Sequence, residues 1–377
     1  MRTSWGSHFS FLFVRVLSMA RSHFFEGIEN FRDLGGYGCD YGTTEFGVVF
    51  RSATPINATK EDLDKVASIG IKTIVDLRGE EYQKEQINPF AKDGRFKVIN
   101  LEVNGNGRIA KDRDDYIASY MEMVEDPSSA RKILLSILHA PKPVLFHCNA
   151  GKDRTGVFSL LLLGFAGVHV DDINADYMLS FPHLRKMTRE TRANRPFVPE
   201  LLLVPDIEFI PDFYDAFIKR YGSFRNYGEV IGLSEDEIEA LANLLGKQEK
   251  SCGAVCFKEN KVLIEHSALG HYSFPRGHVE EYDEDDYATA IREIKEETGF
   301  DAQIIPGFEE TIVYSPYKGI IKYVRIFLAE IIGGERAIQK EEVSDIYFLT
   351  PEEAMYVLSH DNDRKVVAKA AKHYAIN

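Results

Sequence analysis

The sequence predicts two folded domains: an α/β domain with a central, mostly parallel sheet flanked by helices, then an α+β domain of mixed sheets sandwiched by helices. Three observations carry this. The chain has 377 residues, more than one hydrophobic core usually serves. Its first two thirds alternate strand and helix patterns, as a sheet covered on both faces requires. After the polar run Gly246–Ser251 the pattern changes to strand pairs and one long charged helix, which sets the expected domains at 23–248 and 249–377.

In order, GIKTIVDL from Gly70, FKVINLEV from Phe96 and PVLFHC from Pro143 read as buried strands, with helical stretches such as DDYIASYMEMVED between them. TGVFSLLLLGFAGV from Thr155 is a very apolar helix, followed by amphipathic helices out to GLSEDEIEALANLLGKQEK. Beyond the boundary, CGAVCFK and KVLIEHS form a strand pair and a charged helix follows Tyr287. IIKYVRIFLAEII and DIYFLT are further strands, and Thr350 with Pro351 opens a last helix. Residues 1–22 read as a disordered leader, with Met19 as an alternative start. Their apolar patch is broken by Arg15 and too short for a membrane span, so no stable membrane insertion is expected.

A net charge of -14 argues against bulk attraction to nucleic acid and leaves phosphorylated small molecules or phosphoproteins as the expected partners, held by local cationic pockets. Cys39, Cys148, Cys252 and Cys256 suggest no disulfide framework, so a reducing, cytoplasmic location is expected.

The first chemical signal is His147-Cys148-Asn149-Ala150-Gly151-Lys152-Asp153-Arg154-Thr155-Gly156. A loop between an apolar strand and an apolar helix places its backbone N–H groups at a helix N-terminus, where Asn149, Ala150, Gly151 and Lys152 can cradle a phosphate. The same field favours thiolate at Cys148, the candidate nucleophile. Arg154 offers a planar fork for two phosphoryl oxygens, and the Thr155 hydroxyl can donate to the departing sulfur. A proton donor for the leaving oxygen is also needed. Asp153 is ranked first, with Asp76, Asp112, Asp114 and Asp115 as alternatives. Arg32, Asp33 and Arg51 serve either the pocket or the structure around it.

These residues resemble the cysteine-based protein tyrosine phosphatases, whose signature is His-Cys, five residues, then Arg-Thr or Arg-Ser. The stretches Asn30–Tyr37, Phe50–Ala53 and Ile74–Arg78 resemble the bacterial group of atypical tyrosine and lipid phosphatases. The resemblance covers roughly residues 24–247. It implies a phosphocysteine mechanism with no cofactor, and for Lys152 and Asp153 it implies activity on phosphoinositides as well as phosphotyrosine.

The second signal is Gly277-His278-Val279-Glu280 leading to Glu284, then seven residues, then Arg292-Glu293-Ile294-Lys295-Glu296-Glu297-Thr298-Gly299. On a helix Glu293, Glu296 and Glu297 share a face. Three carboxylates repel, and a divalent cation with oxygen ligands removes that cost. Glu296 can take the proton of an attacking water, Arg292 can hold Glu296 one turn on, and Gly299 ends the helix.

This stretch resembles the Nudix box, with one residue too many between Gly277 and Glu284. The resemblance implies Mg2+ or Mn2+ on Glu293, Glu296, Glu297 and the Gly277 carbonyl. Phe274–Glu280 and Lys322–Ala329 are most similar to the diadenosine tetraphosphate hydrolase branch, which overlaps in activity with diphosphoinositol polyphosphate hydrolases. Lys318, Lys322 and Arg325 are candidates for outer phosphates, Tyr314 and Tyr317 for base stacking, and Glu341 or Glu342 for a further base or ligand. The expected function is a bifunctional phosphohydrolase; the alternative is a single-activity phosphatase whose second domain senses phosphoanions.

Overall fold

The computed structural model describes residues 21–103, 110–280 and 282–376. The expected leader lies outside them up to residue 20, Met19 included. Arg21 and Ser22 do not behave as leader: Arg21 donates to the Gly36 carbonyl (2.8 Å) and Ser22 bridges to Arg32. The chain forms two compact units, one ending at Lys247 and taking in Tyr317–Ile320, the other comprising Gln248–Pro316 and the residues from Ile321 onward.

The first unit carries β1 (Arg32–Asp33), β2 (Gly38–Cys39), β3 (Gly42–Thr43), β4 (Val49–Ser52), β5 (Thr73–Asp76), β6 (Lys97–Asn100) and β7 (Val144–His147). The main sheet runs β1-β4-β7-β5-β6, parallel except for β1, while β2 and β3 form a separate antiparallel ribbon. Apolar periodicity predicts β5, β6 and β7. It does not predict β4, because Arg51 and Ser52 make up half of a fully buried strand. With β7 in the centre, its carboxyl end delivers Cys148 to the middle of the sheet edge, where α/β folds build sites.

The helix Asp153–Phe165 follows the loop, and every residue from Thr155 to Phe165 is buried. A helix apolar on all sides must be enclosed by protein. The helices Arg113–Glu125, Val170–Met178, Phe224–Val230 and Glu235–Ala242 do this. Gly164 allows the closest approach: a Cβ there would stand 2.1 Å from the Phe224 ring.

The second unit carries β8 (Lys247–Lys258), β9 (Lys261–Ser267), β10 (Tyr272–Ser273), β11 (Arg276–His278), β12 (Phe300–Tyr317), β13 (Ile320–Gly334) and β14 (Val343–Leu349). The order is β10-β9-β8-β13-β12, with β11 also on β8 and β14 also on β9. Alternate residues of β8 feed two cores. Cys252, Ala254 and Cys256 pack with Ala290 and Ile294 of the helix Asp286–Thr298, whereas Val255 and Phe257 pack with Ala354, Val366 and Val367 of the C-terminal helices. The sheet is therefore sandwiched between helices.

Two elements differ from the sequence reading. The polar run that marks the expected domain boundary is strand from Lys247 on. The long β12 escapes prediction because Pro306 and Gly307 interrupt it. It lies at the end of the sheet order, where a missing N–H is tolerated.

Candidate active sites

The loop after β7 is shaped by donors that capture its carbonyls. His147 Nδ1 bonds the Cys148 carbonyl (3.0 Å), Thr54 N–H the Asn149 carbonyl (2.8 Å), and Asn30 Nδ2 the carbonyls of Ala150 and Gly151 (both 3.0 Å). Arg51 Nη2 adds a bond to the Gly151 carbonyl (2.7 Å), and Gly156 N–H takes that of Lys152 (2.7 Å). With the carbonyls drawn outward, the N–H groups of Asn149 through Arg154 have no partner among the described residues. Unspent amides at a helix N-terminus form an anion cradle. Gly151 has φ +64°, and a Cβ there would meet the Ser52 carbonyl at 2.1 Å, so only glycine fits.

Arg154 is half-buried and makes no hydrogen bond or ion pair with any described residue. Cys148 is buried, and the Thr155 hydroxyl is buried without a partner. Cys148 follows β7, and Arg154 and Thr155 lie in the first turn of the helix Asp153–Phe165. A cavity of about 490 Å³ adjoins the loop at Asn149 and Ala150, lined also by Thr54, Tyr82, Gln86, Met187, Glu190 and Arg195.

The loop rests on a hub whose centre, Asp176, the sequence reading missed. Arg32 and Arg51 both pair with Asp176, Tyr37 donates to it (3.2 Å), and all four side chains are buried. Burial opposes the Asp176 charge, but Arg32 and Arg51 outweigh it and hold the carboxyl below its ordinary range. Asp33 accepts N–H bonds from Gly35 (2.9 Å) and Gly47 (2.6 Å), and burial still pushes it up to about 7. Arg32, Arg51 and Asp33 are thus placed within the scaffold, not in the cavity lining.

Asp153 stays half-exposed, with the Tyr116 and Tyr120 hydroxyls donating to Oδ1 and Tyr177 bonded to Tyr120 (3.1 Å). Asp76 is buried and chelated by Arg78 (2.9 and 2.7 Å). Asp112 caps the helix Arg113–Glu125 through Asp115 N–H, and Asp115 accepts from Lys111 N–H. Asp114 is exposed in that helix's first turn. Lys152 is buried, and its ammonium donates to the Leu202 carbonyl (2.8 Å) beside Asp153 (3.5 Å). It is neither a solvated surface charge nor part of the cavity lining.

In the second unit the helix Asp286–Thr298 starts at the Asp285 cap and ends at Gly299, which adopts the left-handed conformation. Glu293 and Glu297 face inward and Glu296 outward. Arg292 ties the group together: it bonds Glu293 (2.7 Å), Glu296 (2.9 Å), the His278 carbonyl (2.8 Å) and both oxygens of Asp283 (3.0 Å each). Asp283 also accepts from Glu280 N–H and the Thr289 hydroxyl. The fork's partner is therefore Asp283, with five residues between it and Gly277, and the surplus residue falls between Asp283 and the helix. Glu284 is exposed.

Gly277 lies against Glu293, whose carboxyl a Cβ at Gly277 would strike at 2.1 Å, while Arg276 N–H donates to Glu297 (3.0 Å). Glu265 on β9, also missed, is buried with Oε1 unpartnered. Burial, then Glu265 and Glu293, drive Glu297 well above the ordinary carboxylate range, and burial drives Glu265 the same way against the pull of Arg276. The charge of Glu342 also acts on Glu265, Glu293 and Glu297. Among the described residues no three acidic, His or Cys side chains already stand together as a metal cluster. The donor set nonetheless fits a hard divalent cation: the ligands are oxygens, they repel one another, and one buried oxygen is orphaned.

Of the remaining candidates, Arg325 is engaged by Asp286 and Glu309, Lys322 and Tyr314 are half-buried, and Tyr317 and Lys318 occupy the β12–β13 turn. Glu341 and Glu342 are exposed ahead of β14.

Comparison with known proteins fits this geometry. The tyrosine phosphatase family model matches residues 23–247, and the NUDIX domain model matches residues 247–370. The chain belongs to the tyrosine phosphatase family and carries a NUDIX domain at its C-terminal end. It is 30% identical over 224 residues to a candidate tyrosine-protein phosphatase of Cupriavidus necator, covering 54% of this chain and 81% of that protein. It is 26% identical over 216 residues to a tyrosine-protein phosphatase of Nostoc commune (52% and 74%). With the triple specificity protein phosphatase PtpB of Mycobacterium tuberculosis it shares 30% identity over 129 residues (30% and 47%). Among solved structures, a C. elegans Ap4A hydrolase binary complex aligns with a TM-score of 0.32 and 24% identity over 34% of this chain and 99% of that one. A NUDIX hydrolase from Nitrosomonas europaea aligns with a TM-score of 0.29 and 20% identity (35% and 74%).

Two outcomes follow from the charges. Asp176→Ala leaves two arginines buried without a counter-charge and is expected to cost about 3–5 kcal/mol, measured by urea unfolding of the intact chain. Because Glu265 and Glu297 hold protons in the folded state above their unfolded value of 4.5, the folded chain binds more protons than the unfolded one as pH rises past that value. Metal-free stability of the second unit should therefore fall as pH is raised from about 5 to about 9. Thermal melts across that range should show the decline, and added Mg2+ or Mn2+ should reverse it.

Proposed function

We propose that the chain is a bifunctional phosphohydrolase, cleaving phosphomonoesters at Cys148 and phosphoanhydrides at the glutamates of the second unit. The observation that carries the first activity is the row of unspent N–H groups from Asn149 to Arg154 beside the unpaired Arg154 guanidinium. Held there, the phosphoryl group presents phosphorus to Cys148 Sγ. The S–P bond forms as the P–O ester bond breaks, and the leaving oxygen takes a proton from Asp153, whose Oδ1 is committed to tyrosine hydroxyls and whose Oδ2 is left to carry it. Water then hydrolyses the phosphocysteine, and the orphaned Thr155 hydroxyl donates to the departing sulfur.

The cavity favours one class of monoester. Among the described residues that line it, Arg195 is the one cation and Glu190 the one anion, alongside Tyr82, Ile56 and Met187. An aryl phosphate such as phosphotyrosine suits that surface better than a polyphosphorylated inositol ring, which needs several cations.

In the second unit Glu293, Glu296, Glu297 and the Gly277 carbonyl would hold Mg2+ or Mn2+, which supplies charge neutralisation on the anhydride and a more acidic water. Arg292 orients Glu296, the exposed glutamate, to accept the water's proton. The substrate class is a dinucleoside polyphosphate or a diphosphoinositol polyphosphate, with half-buried Lys322, whose neighbours include Arg276 and Glu293, near its outer phosphates.

Phosphorus NMR of the intact protein with Mg2+ tests both halves, with phosphotyrosine, a phosphoinositide, diadenosine tetraphosphate and an inositol pyrophosphate given in turn. Cys148→Ser should abolish monoester turnover and leave anhydride cleavage intact. Glu296→Gln should do the reverse, slowing anhydride cleavage about 10²–10⁴-fold. If Glu296→Gln changes nothing, the second unit binds phosphoanions without turning them over.

A further inference from the structure

His147, the residue before the nucleophile, is buried between two groups that ask opposite things of it. Its Nε2 lies 2.9 Å from Asn88 Nδ2 and 3.6 Å from Asp76 Oδ2. A carboxylate would draw the ring proton to Nε2, whereas an amide nitrogen, which only donates, requires Nε2 to accept. The Asn88 amide cannot turn over to accept instead, because its Oδ1 takes the Phe90 N–H (3.2 Å), and its second N–H goes to Asp76 (3.2 Å).

Asp76 is further occupied by Arg78, through Arg78 Nε (2.9 Å) and Nη2 (2.7 Å). Burial keeps the His147 ring neutral at physiological pH, the Asp76 charge pulling the other way and the Arg78 charge adding to burial. A neutral ring that accepts at Nε2 carries its proton on Nδ1. That nitrogen sits 3.0 Å from the Cys148 carbonyl.

We propose that Asn88 is a positioning residue that selects the Nδ1–H form of His147, and through it fixes the peptide between Cys148 and Asn149 with its carbonyl outward and the Asn149 N–H turned into the phosphate cradle. The inference rests on the phosphatase reading of Cys148. It assigns a function to the residue that caps a separate 3₁₀ turn, Pro89–Lys92, and whose side chain bonds Asp76, His147 and Phe90 N–H. Without the amide, Asp76 captures the ring proton at Nε2 and the bare Nδ1 faces the Cys148 carbonyl, two acceptors in contact. The peptide then rotates and the cradle loses its first donor.

The test uses the intact chain with ¹⁵N-labelled histidine rings, the His147 signals assigned by His147→Gln. In the wild type Nδ1 should carry the proton. In Asn88→Ser and Asn88→Ala the proton should move to Nε2. Alkylation of Cys148 by iodoacetamide is followed in parallel across pH, with inorganic phosphate as the protecting ligand. The charges bearing on Cys148 and His147 in that titration, Arg51, Arg154, Asp76 and Arg78, are unchanged in both variants. Phosphate protection should weaken about 10- to 100-fold, as loss of one charge-assisted hydrogen bond implies.

A wild-type ring protonated at Nε2 overturns the inference even if neither variant folds. So does a variant whose ring proton moves while phosphate protection is unaltered. Failure of phosphate to protect Cys148 in the wild type would instead count against the phosphatase reading, leaving the ring protonation to stand by itself.

Discussion

The first unit depends on one buried carboxylate. Asp176 is the shared, buried counter-charge of Arg32 and Arg51, and Arg51 then has Nη2 free to hold the Gly151 carbonyl. A buried ion triad contributes little net stability, since desolvation cancels most of the attraction. Its value here is conformational. An arginine cannot be buried alone, and without Arg51 the Gly151 carbonyl would be free to turn into the cradle. The polar residues of β4 and β1, which look out of place in a core, are the reason the loop holds its shape.

The two sites solve opposite problems by the same logic. Around Cys148, carbonyls are satisfied from outside so that donors remain over, which creates a demand for an anion. Around Glu297, carboxylates are brought together beyond what Arg276 and Arg292 neutralise, which creates a demand for a cation. In each case the missing partner is defined by what the protein leaves unpaired. Arg292 limits the second demand by spreading one guanidinium over Asp283, Glu293 and Glu296, so the helix Asp286–Thr298 tolerates its own charge.

What the sequence made legible is what is contiguous. Cys148 to Gly156 and Arg292 to Gly299 are linear motifs whose chemistry follows from spacing, and the parallel sheet follows from alternating elements. What was hidden is what the fold brings from afar. Asn30 and Asp176 lie 121 and 125 residues from their partners Gly151 and Arg51; Asn30 stands in a stretch that carries the resemblance but nothing there assigns it this contact, and nothing around Asp176 marks it. Glu265 had a weak signal, one acid in the apolar run KVLIEH. The Gly277–Glu284 spacing misled because it assumed that the glutamate is the residue that matters, whereas charge geometry selects the shorter Asp283.

The proposal that Asp153 is the proton donor is supported by a criterion absent from the sequence. A general acid must reach the leaving oxygen and must have a free oxygen to give the proton from. Asp76 fails both demands, buried and held by Arg78 and Asn88. Asp112, Asp114 and Asp115 lie together at the start of the helix Arg113–Glu125, Asp112 and Asp115 each giving one oxygen to a backbone N–H and Asp114 exposed. Asp153 lies in the first turn after the loop, with one oxygen fixed by Tyr116 and Tyr120 and the other without a partner among the described residues. The tyrosines thus orient the carboxyl without consuming it. The arrangement explains why three buried phenols converge on one half-exposed acid.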